Sequence, residues 1–149
     1  MSEKLAQIKK KGSGKVSLKE ICRDIVLNSN YTKYTFTAYQ SRATLHECGI
    51  AVDTTNHIVY VYVDFTSLLT DTNDYKTYLT TNFPSSYLPR NLGTTNRDAA
   101  HLVTDKDSSI PTNAFALGVV SSVMGIMKTK SQTVSSGEKY ILYGAYTYV

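Results

Sequence analysis

The sequence predicts an all-β fold: a β-sandwich or jelly-roll-like body preceded by one short α-helix. Three observations lead there. Residues 56–65 consist almost wholly of β-branched and aromatic residues, with bulky side chains on both alternating faces. From Tyr31 onward the hydrophobic period is two rather than 3.6. Turn-forming clusters at 89–96, 105–109 and 135–137 divide the rest into short strands.

Taken in order, residues 1–15 offer little to bury beyond Leu5 and Ile8. They end in Lys9-Lys10-Lys11-Gly12-Ser13-Gly14, the composition of a flexible arm. A helix follows. Ser17-Leu18-Lys19-Glu20 is a capping box, and Val16 and Ile21 are spaced for a hydrophobic staple. Leu18, Ile21, Cys22, Ile25 and Val26 then recur as a single apolar stripe, and Asn28-Ser29-Asn30 ends it. So short a helix is marginal alone, so its stripe must dock on the β-body or on copies of itself from neighbouring subunits.

Strands are expected at 31–39, at 43–52 with Gly49 as a bulge, and at 56–65, 99–104, 115–120, 123–129 and 139–149. Strand 56–65 organises the body. His57, Val59, Val61, Val63 and Phe65 share one face, and Ile58, Tyr60, Tyr62 and Asp64 the other. A strand covered on both sides lies inside a sandwich or at a subunit contact. Strand 139–149 also carries bulky groups on both faces and runs to the last residue, as a terminus tied into a sheet would. The division expected is residues 1–30 as a basic arm and helix, for attachment or trimerisation, and 31–149 as the sandwich head.

Composition narrows the function. At 149 residues the chain is long enough for a single core. Two cysteines, Cys22 and Cys48, do not make a disulfide scaffold. No apolar run approaches the roughly 18 residues that span a bilayer. Met1-Ser2-Glu3-Lys4 lacks the apolar core of a signal peptide. Synthesis in a cytoplasm without membrane insertion is therefore expected. The net charge of +4 is carried by residues 1–30, which set Lys4, Lys9, Lys10, Lys11, Lys15, Lys19 and Arg23 against Glu3, Glu20 and Asp24. The neutral body that follows is rich in Tyr, Thr and Ser and lacks the sustained basic face of a nucleic-acid binder.

Catalytic patterns are missing from the sequence. There is no G-x-S-x-G, P-loop or dinucleotide fingerprint. His46 and Cys48 fall on one strand face by alternation, but two ligands are too few for structural zinc, and His57 and His101 have no motif spacing. Cys48 reads as a small buried hydrophobe. Asp64, Asp71, Asp74 and Asp98 read as caps and solvated groups rather than a glycosidase pair. No enzyme, cofactor or metal site is expected.

The segment from Tyr78 to Arg90 contains Phe83-Pro84-Ser85-Ser86-Tyr87-Leu88-Pro89, a loop anchored by two aromatics. A strand like Ile58-Val59-Tyr60-Val61, then this turn, a hydrophilic stretch, two strands around a turn and a final aromatic strand resemble the C-terminal head domains of bacteriophage tail-fibre and receptor-binding (baseplate) proteins. The likeness covers roughly residues 45–149. Phe83 stands where that family has Leu, Ser86 where it has Gly, Leu88 where it has a basic residue, and Arg90 follows the second proline. The resemblance implies a β-sandwich, a homotrimer, a place on a virion and non-covalent binding of a host cell-surface glycan. The turn is architectural in that family, so it is not carried over as a binding site.

Two groups of residues follow as candidates. Sugars offer C–H faces and hydroxyl edges together, so aromatic rings beside polar groups suit them. That points to the region of Tyr75, Tyr78, Tyr87, Arg90, Asn96, Arg97 and Asp98. Oligomerisation is assigned to Leu18, Ile21, Ile25, Tyr60, Tyr62, Tyr143 and Tyr146, on the ground that two-sided apolar strands need identical copies to cover them. The arm would join another virion protein. A structural capsid fibre or decoration protein without a receptor is the alternative.

Overall fold

The computed structural model describes residues 17–72, 76–89, 100–101, 103–105, 111–112, 114–120, 123–129 and 133–149. Helix α1 (Leu18–Asn28) begins where the capping box places it, with the Ser17 side chain accepting from the Glu20 amide at 3.2 Å. Among the described residues eleven strands follow: β1 (Thr32–Tyr34), β2 (Thr37–Ala38), β3 (Ala43–Asp53), β4 (Ile58–Ser67), β5 (Thr77–Thr81), β6 (Ala100–His101), β7 (Val103–Asp105), β8 (Pro111–Thr112), β9 (Phe115–Val120), β10 (Val123–Lys128) and β11 (Lys139–Thr147). They form two antiparallel sheets, ordered β1-β3-β4-β11-β7-β8 and β2-β5-β10-β9-β6. The all-β sandwich with a short N-terminal helix is the fold the sequence predicts.

β4 is central, paired with β3 on one side and β11 on the other. Its Val59, Val61, Val63 and Phe65 are fully buried in the core between the sheets. There Phe65, Tyr78, Phe115 and Tyr140 pack as a group, with ring centroids 5.0–6.1 Å apart. β11 adds Tyr140 and Leu142 to that core and turns Ile141 and Tyr143 outward.

The outer face of the first sheet is covered by α1. Cys22, Ile25 and Val26 pack with Ala51, Tyr60 and Tyr62, and Ile21, Leu27, Tyr31, Ile58, Ile141 and Tyr143 close the margins. Of the two partners open to the helical stripe, the chain's own β-body is the one present. This corrects the reasoning that assigned Ile25, Tyr60 and Tyr62 to a subunit contact. All three are at most 4 % exposed within one chain, and no second copy is needed to shield them. Leu18 lies off this contact, 47 % exposed. Residues 17–30 are thus packed on the body rather than set apart from it.

Three local departures from simple alternation shape the sheets. Opposite β4, the register of β3 shifts between Leu45 and Cys48, placing one extra residue against Asp64. Ala43 and Leu45 face the core before the bulge, and Cys48, Ile50 and Val52 after it. His46 and Cys48 therefore do not share a face: His46 is exposed, its Nε2 2.8 Å from Thr66 Oγ1, while Cys48 turns inward. The bulge is not at Gly49. That glycine lets the helix approach, since a Cβ there would meet Tyr34 O and Val26 Cγ1 at 3.1 Å.

In β5, Thr77 pairs with Met127 and Leu79 with Ile126, so Tyr78 is an extra residue and both Tyr78 and Leu79 enter the core. The opposite Gly125 admits this close approach, because a Cβ would come within 2.4 Å of Leu79 O. Finally, the strands expected at 31–39 and 99–104 each divide in two. β1 and β2 lie in different sheets, as do β6 and β7. Between β1 and β2 the chain turns a corner and crosses the sandwich.

Candidate functional site

The corner between β1 and β2 is held by Phe36, 3 % exposed and part of the main core. Its neighbours Tyr34, Thr35 and Thr37 are thereby left near the surface. Across from them, β5 ends at Thr81 and the chain turns down through Phe83, 7 % exposed and also in the core. Between these anchors lies an open pocket of about 180 Å³, lined by Tyr34, Thr35, Thr37, Thr80, Thr81 and Asn82. Thr37 and Thr80 are register partners. Thr37 Oγ1 donates to Thr80 O at 3.3 Å and lies 3.4 Å from Thr80 Oγ1, so two hydroxyls of lining residues stand side by side. Among the described residues, no charged side chain lines the pocket.

Behind the pocket runs a row of rings. Tyr34 meets Phe83 edge-on at 5.1 Å, Tyr34 and Phe83 both contact Tyr87, and Tyr87 meets Tyr148 edge-on at 5.0 Å. Tyr148 in turn stacks on His57 at 5.0 Å. Backbone contacts fix the row. The turn Ser85–Tyr87 is a single 3-10 turn, Tyr146 donates its hydroxyl to Tyr87 O at 3.0 Å, and the Tyr148 amide donates to His57 O at 3.1 Å. Burial raises the Tyr146 phenol well above its ordinary range.

At the other end of the His57 turn, Asp53 Oδ1 accepts from the Thr55 and Asn56 amides, and Oδ2 accepts from the Asn56 side chain and, at 3.3 Å, from the Tyr31 hydroxyl. Burial opposes the charged form of Asp53, but these hydrogen bonds outweigh it and hold its carboxyl below the usual range. Tyr31 also stacks on Tyr60 at 6.3 Å with rings nearly parallel. Burial, with Tyr31 and Asp53 nearby, pushes the Tyr60 phenol up to about 12.

The candidate ligand residues are only partly brought together. Tyr75, Arg90, Asn96, Arg97 and Asp98 lie outside the described residues. Tyr78 is corrected: fully buried among Phe65 and Phe115, it has no ring face to offer a ligand. Tyr87 is half-buried in the aromatic row, where it supports the pocket rather than lining it. Of the oligomerisation candidates beyond those under α1, Ile21 and Tyr143 sit half-buried at the helix margin, and Tyr146 packs against the main core. Sequence reasoning missed Tyr34, Thr35, Thr37 and Thr80–Asn82. Both stretches read as ordinary strand or loop, and only the crossing of β1 into β2 sets them side by side.

The buried acids and thiols do not form a catalytic or metal grouping among the described residues. Asp64 pairs with Lys139 at 3.3 Å and Asp71 with Lys76 at 3.6 Å. Cys22 donates to Gly144 O at 3.5 Å, and burial pushes its thiol up to about 11, far from the thiolate a nucleophile needs. Burial raises the Cys48 thiol as well. Among the described residues no group of three or more His, Cys, Asp or Glu side chains is placed to hold a metal ion, and no helix is long and apolar enough to cross a membrane. Comparison with protein-family models, with curated protein sequences and with solved structures gave no match.

Proposed function

We propose that the protein is the attachment head of a bacteriophage-type virion fibre: a non-enzymatic homotrimer that engages a host cell-surface glycan and is joined through its basic N-terminal arm to another virion protein. The observation that carries this reading is the pocket at the β1–β2 corner, whose lining among the described residues is uncharged. There a corner and a strand end, each anchored by a buried phenylalanine, present hydroxyl and amide groups beside aromatic rings. Groups held in place before binding lose little freedom on binding, which suits weak recognition of a flexible surface sugar. Three such heads on one fibre would raise a weak single-site affinity by avidity.

In this reading the threefold contacts do not use the face of Tyr60 and Tyr62, which α1 occupies. They use other surfaces, exposed Leu18 and the arm before it among them.

Sedimentation of the full chain, followed by a glycan array with the same preparation, tests the proposal. A trimer that binds a consistent glycan set supports it. A monomer at micromolar concentration removes the avidity on which the reading depends. A trimer silent across many surface sugars yet incorporated into particles would establish the structural alternative, a capsid fibre or decoration protein.

A further inference from the structure

We infer that the pocket between the β1–β2 corner and the end of β5 binds one neutral sugar ring, held by Thr37, Thr80 and Asn82 and leaning on Tyr34. The inference deepens the attachment reading and rests on it for the source of the sugar, a host-surface glycan. Three features of the pocket select the ligand class.

The first is charge. Tyr34, Thr35, Thr37, Thr80, Thr81 and Asn82 are all neutral, so nothing among the described lining residues would compensate a carboxylate, sulfate or phosphate on entry. A neutral hexose fits this lining, and an acidic sugar does not.

The second is the kind of polar group. Threonine hydroxyls both donate and accept, and a carboxamide does both through separate atoms. Vicinal hydroxyls on a sugar ring need such mixed partners at close spacing. Thr37 Oγ1, its proton given to Thr80 O, can accept, and Thr80 Oγ1, 3.4 Å away, has a proton to donate, so the two supply one closely spaced acceptor and donor. Asn82 is exposed, and its carboxamide has no hydrogen-bond partner among the described residues.

The third is size and rigidity. About 180 Å³ is smaller than the roughly 300–1,000 Å³ of ordinary ligand clefts, enough for one ring and not for an extended chain. Phe36 and Phe83, both in the core, fix the two walls, and Tyr34 is braced by Phe83 and Tyr87. Tyr34 can then meet the C–H face of a ring without first being ordered.

The test is an NMR titration of the full chain with methyl glycosides of neutral hexoses and N-acetylhexosamines, with glycerol and an acidic sugar glycoside alongside. The expected result is saturable shifts confined to the amides of Thr35, Thr37, Thr80 and Asn82, at a dissociation constant on the order of 1 mM. Thr37→Val keeps a β-branched strand residue, and Asn82→Ala removes an exposed group. Each is expected to weaken binding roughly five- to tenfold without disturbing the remaining spectrum.

Shifts that fail to saturate, that glycerol reproduces, or that the acidic sugar produces more strongly would overturn the inference. So would unchanged affinity in both variants. If whole cells bind the protein and neither variant alters this, the pocket assignment fails while the attachment reading survives. If the pocket binds glycosides but cells are ignored, the attachment reading fails and the pocket stands.

Discussion

On its inner face β4 sets Val59, Val61, Val63 and Phe65 against a second sheet; on its outer face it sets Ile58, Tyr60 and Tyr62 against a single eleven-residue helix. The inner contact joins many strands, with core residues from β3, β4, β5, β9, β10 and β11. The outer contact depends on one turn-and-a-half of apolar stripe, capped by Ser17 and linked to β3 by the Arg23–Glu47 pair at 2.8 Å. The two faces differ in chemistry too. The inner side of the strand is hydrocarbon, whereas the outer carries phenols that keep polar ends. A sheet that closes with another sheet can be sealed by hydrocarbon alone. One that is roofed by a helix leaves a margin, and tyrosine suits a margin because its ring can be buried while its hydroxyl finds a partner.

The largest effect should come from the inner face. Phe65→Ala removes a ring that contacts Tyr78, Phe115 and Tyr140, and is expected to cost about 3–5 kcal/mol by denaturant unfolding, in one cooperative transition. A loss below about 1 kcal/mol would mean that this cluster does not unify the two sheets.

A smaller effect is expected on the outer face. Ile25→Ala should cost about 2 kcal/mol, at the low end for such a truncation because a lone helix can settle into the space. The accompanying change in Tyr60 separates the two faces. Its phenol is pushed up to about 12, above the roughly 10 of an exposed tyrosine. The folded state disfavours the phenolate, so this contribution to stability is complete below about pH 10 and is lost as pH rises toward about 12. In Ile25→Ala the Tyr60 titration should move down toward 10, and the alkaline loss should shrink accordingly. A Tyr60 titration unchanged from the parent would show that the helix does not cause the shift.

The smallest effect belongs to the ion pair at the helix edge. Arg23 and Glu47 are 49 % and 44 % exposed, and Arg23→Ala should change stability by about 0–1 kcal/mol, with hydrogen exchange in α1 little altered. A larger loss would mean that charge, rather than the Cys22–Ile25–Val26 stripe, holds the helix in place.

Much of this arrangement is legible along the chain. The capping box sets the start of α1, Asn28-Ser29-Asn30 its end, and the two-sided composition of residues 58–65 the central strand. The polar corner is not. Residues 31–39 alternate as one strand would, yet Phe36 is drawn into the core and Thr37 begins a strand of the other sheet. Tyr78-Leu79-Thr80-Thr81 fall within the segment read as a loop around Phe83 and Tyr87, yet they belong to β5, where a bulge at Tyr78 turns Tyr78 and Leu79 both inward. Its β-branched threonines and tyrosine were the available signal.

The sequence by itself determined the helix, the central strand and the need to bury both sides of β4, because propensity and alternation are properties of neighbouring residues. Only the tertiary structure decided what buries the second side. Apolar pattern states that a face must be covered but not by which surface, and a tethered helix reaches that face at an effective concentration no separate copy matches. The same holds for the pocket, whose two walls are some forty-five residues apart in the chain and meet only because β2 pairs with β5.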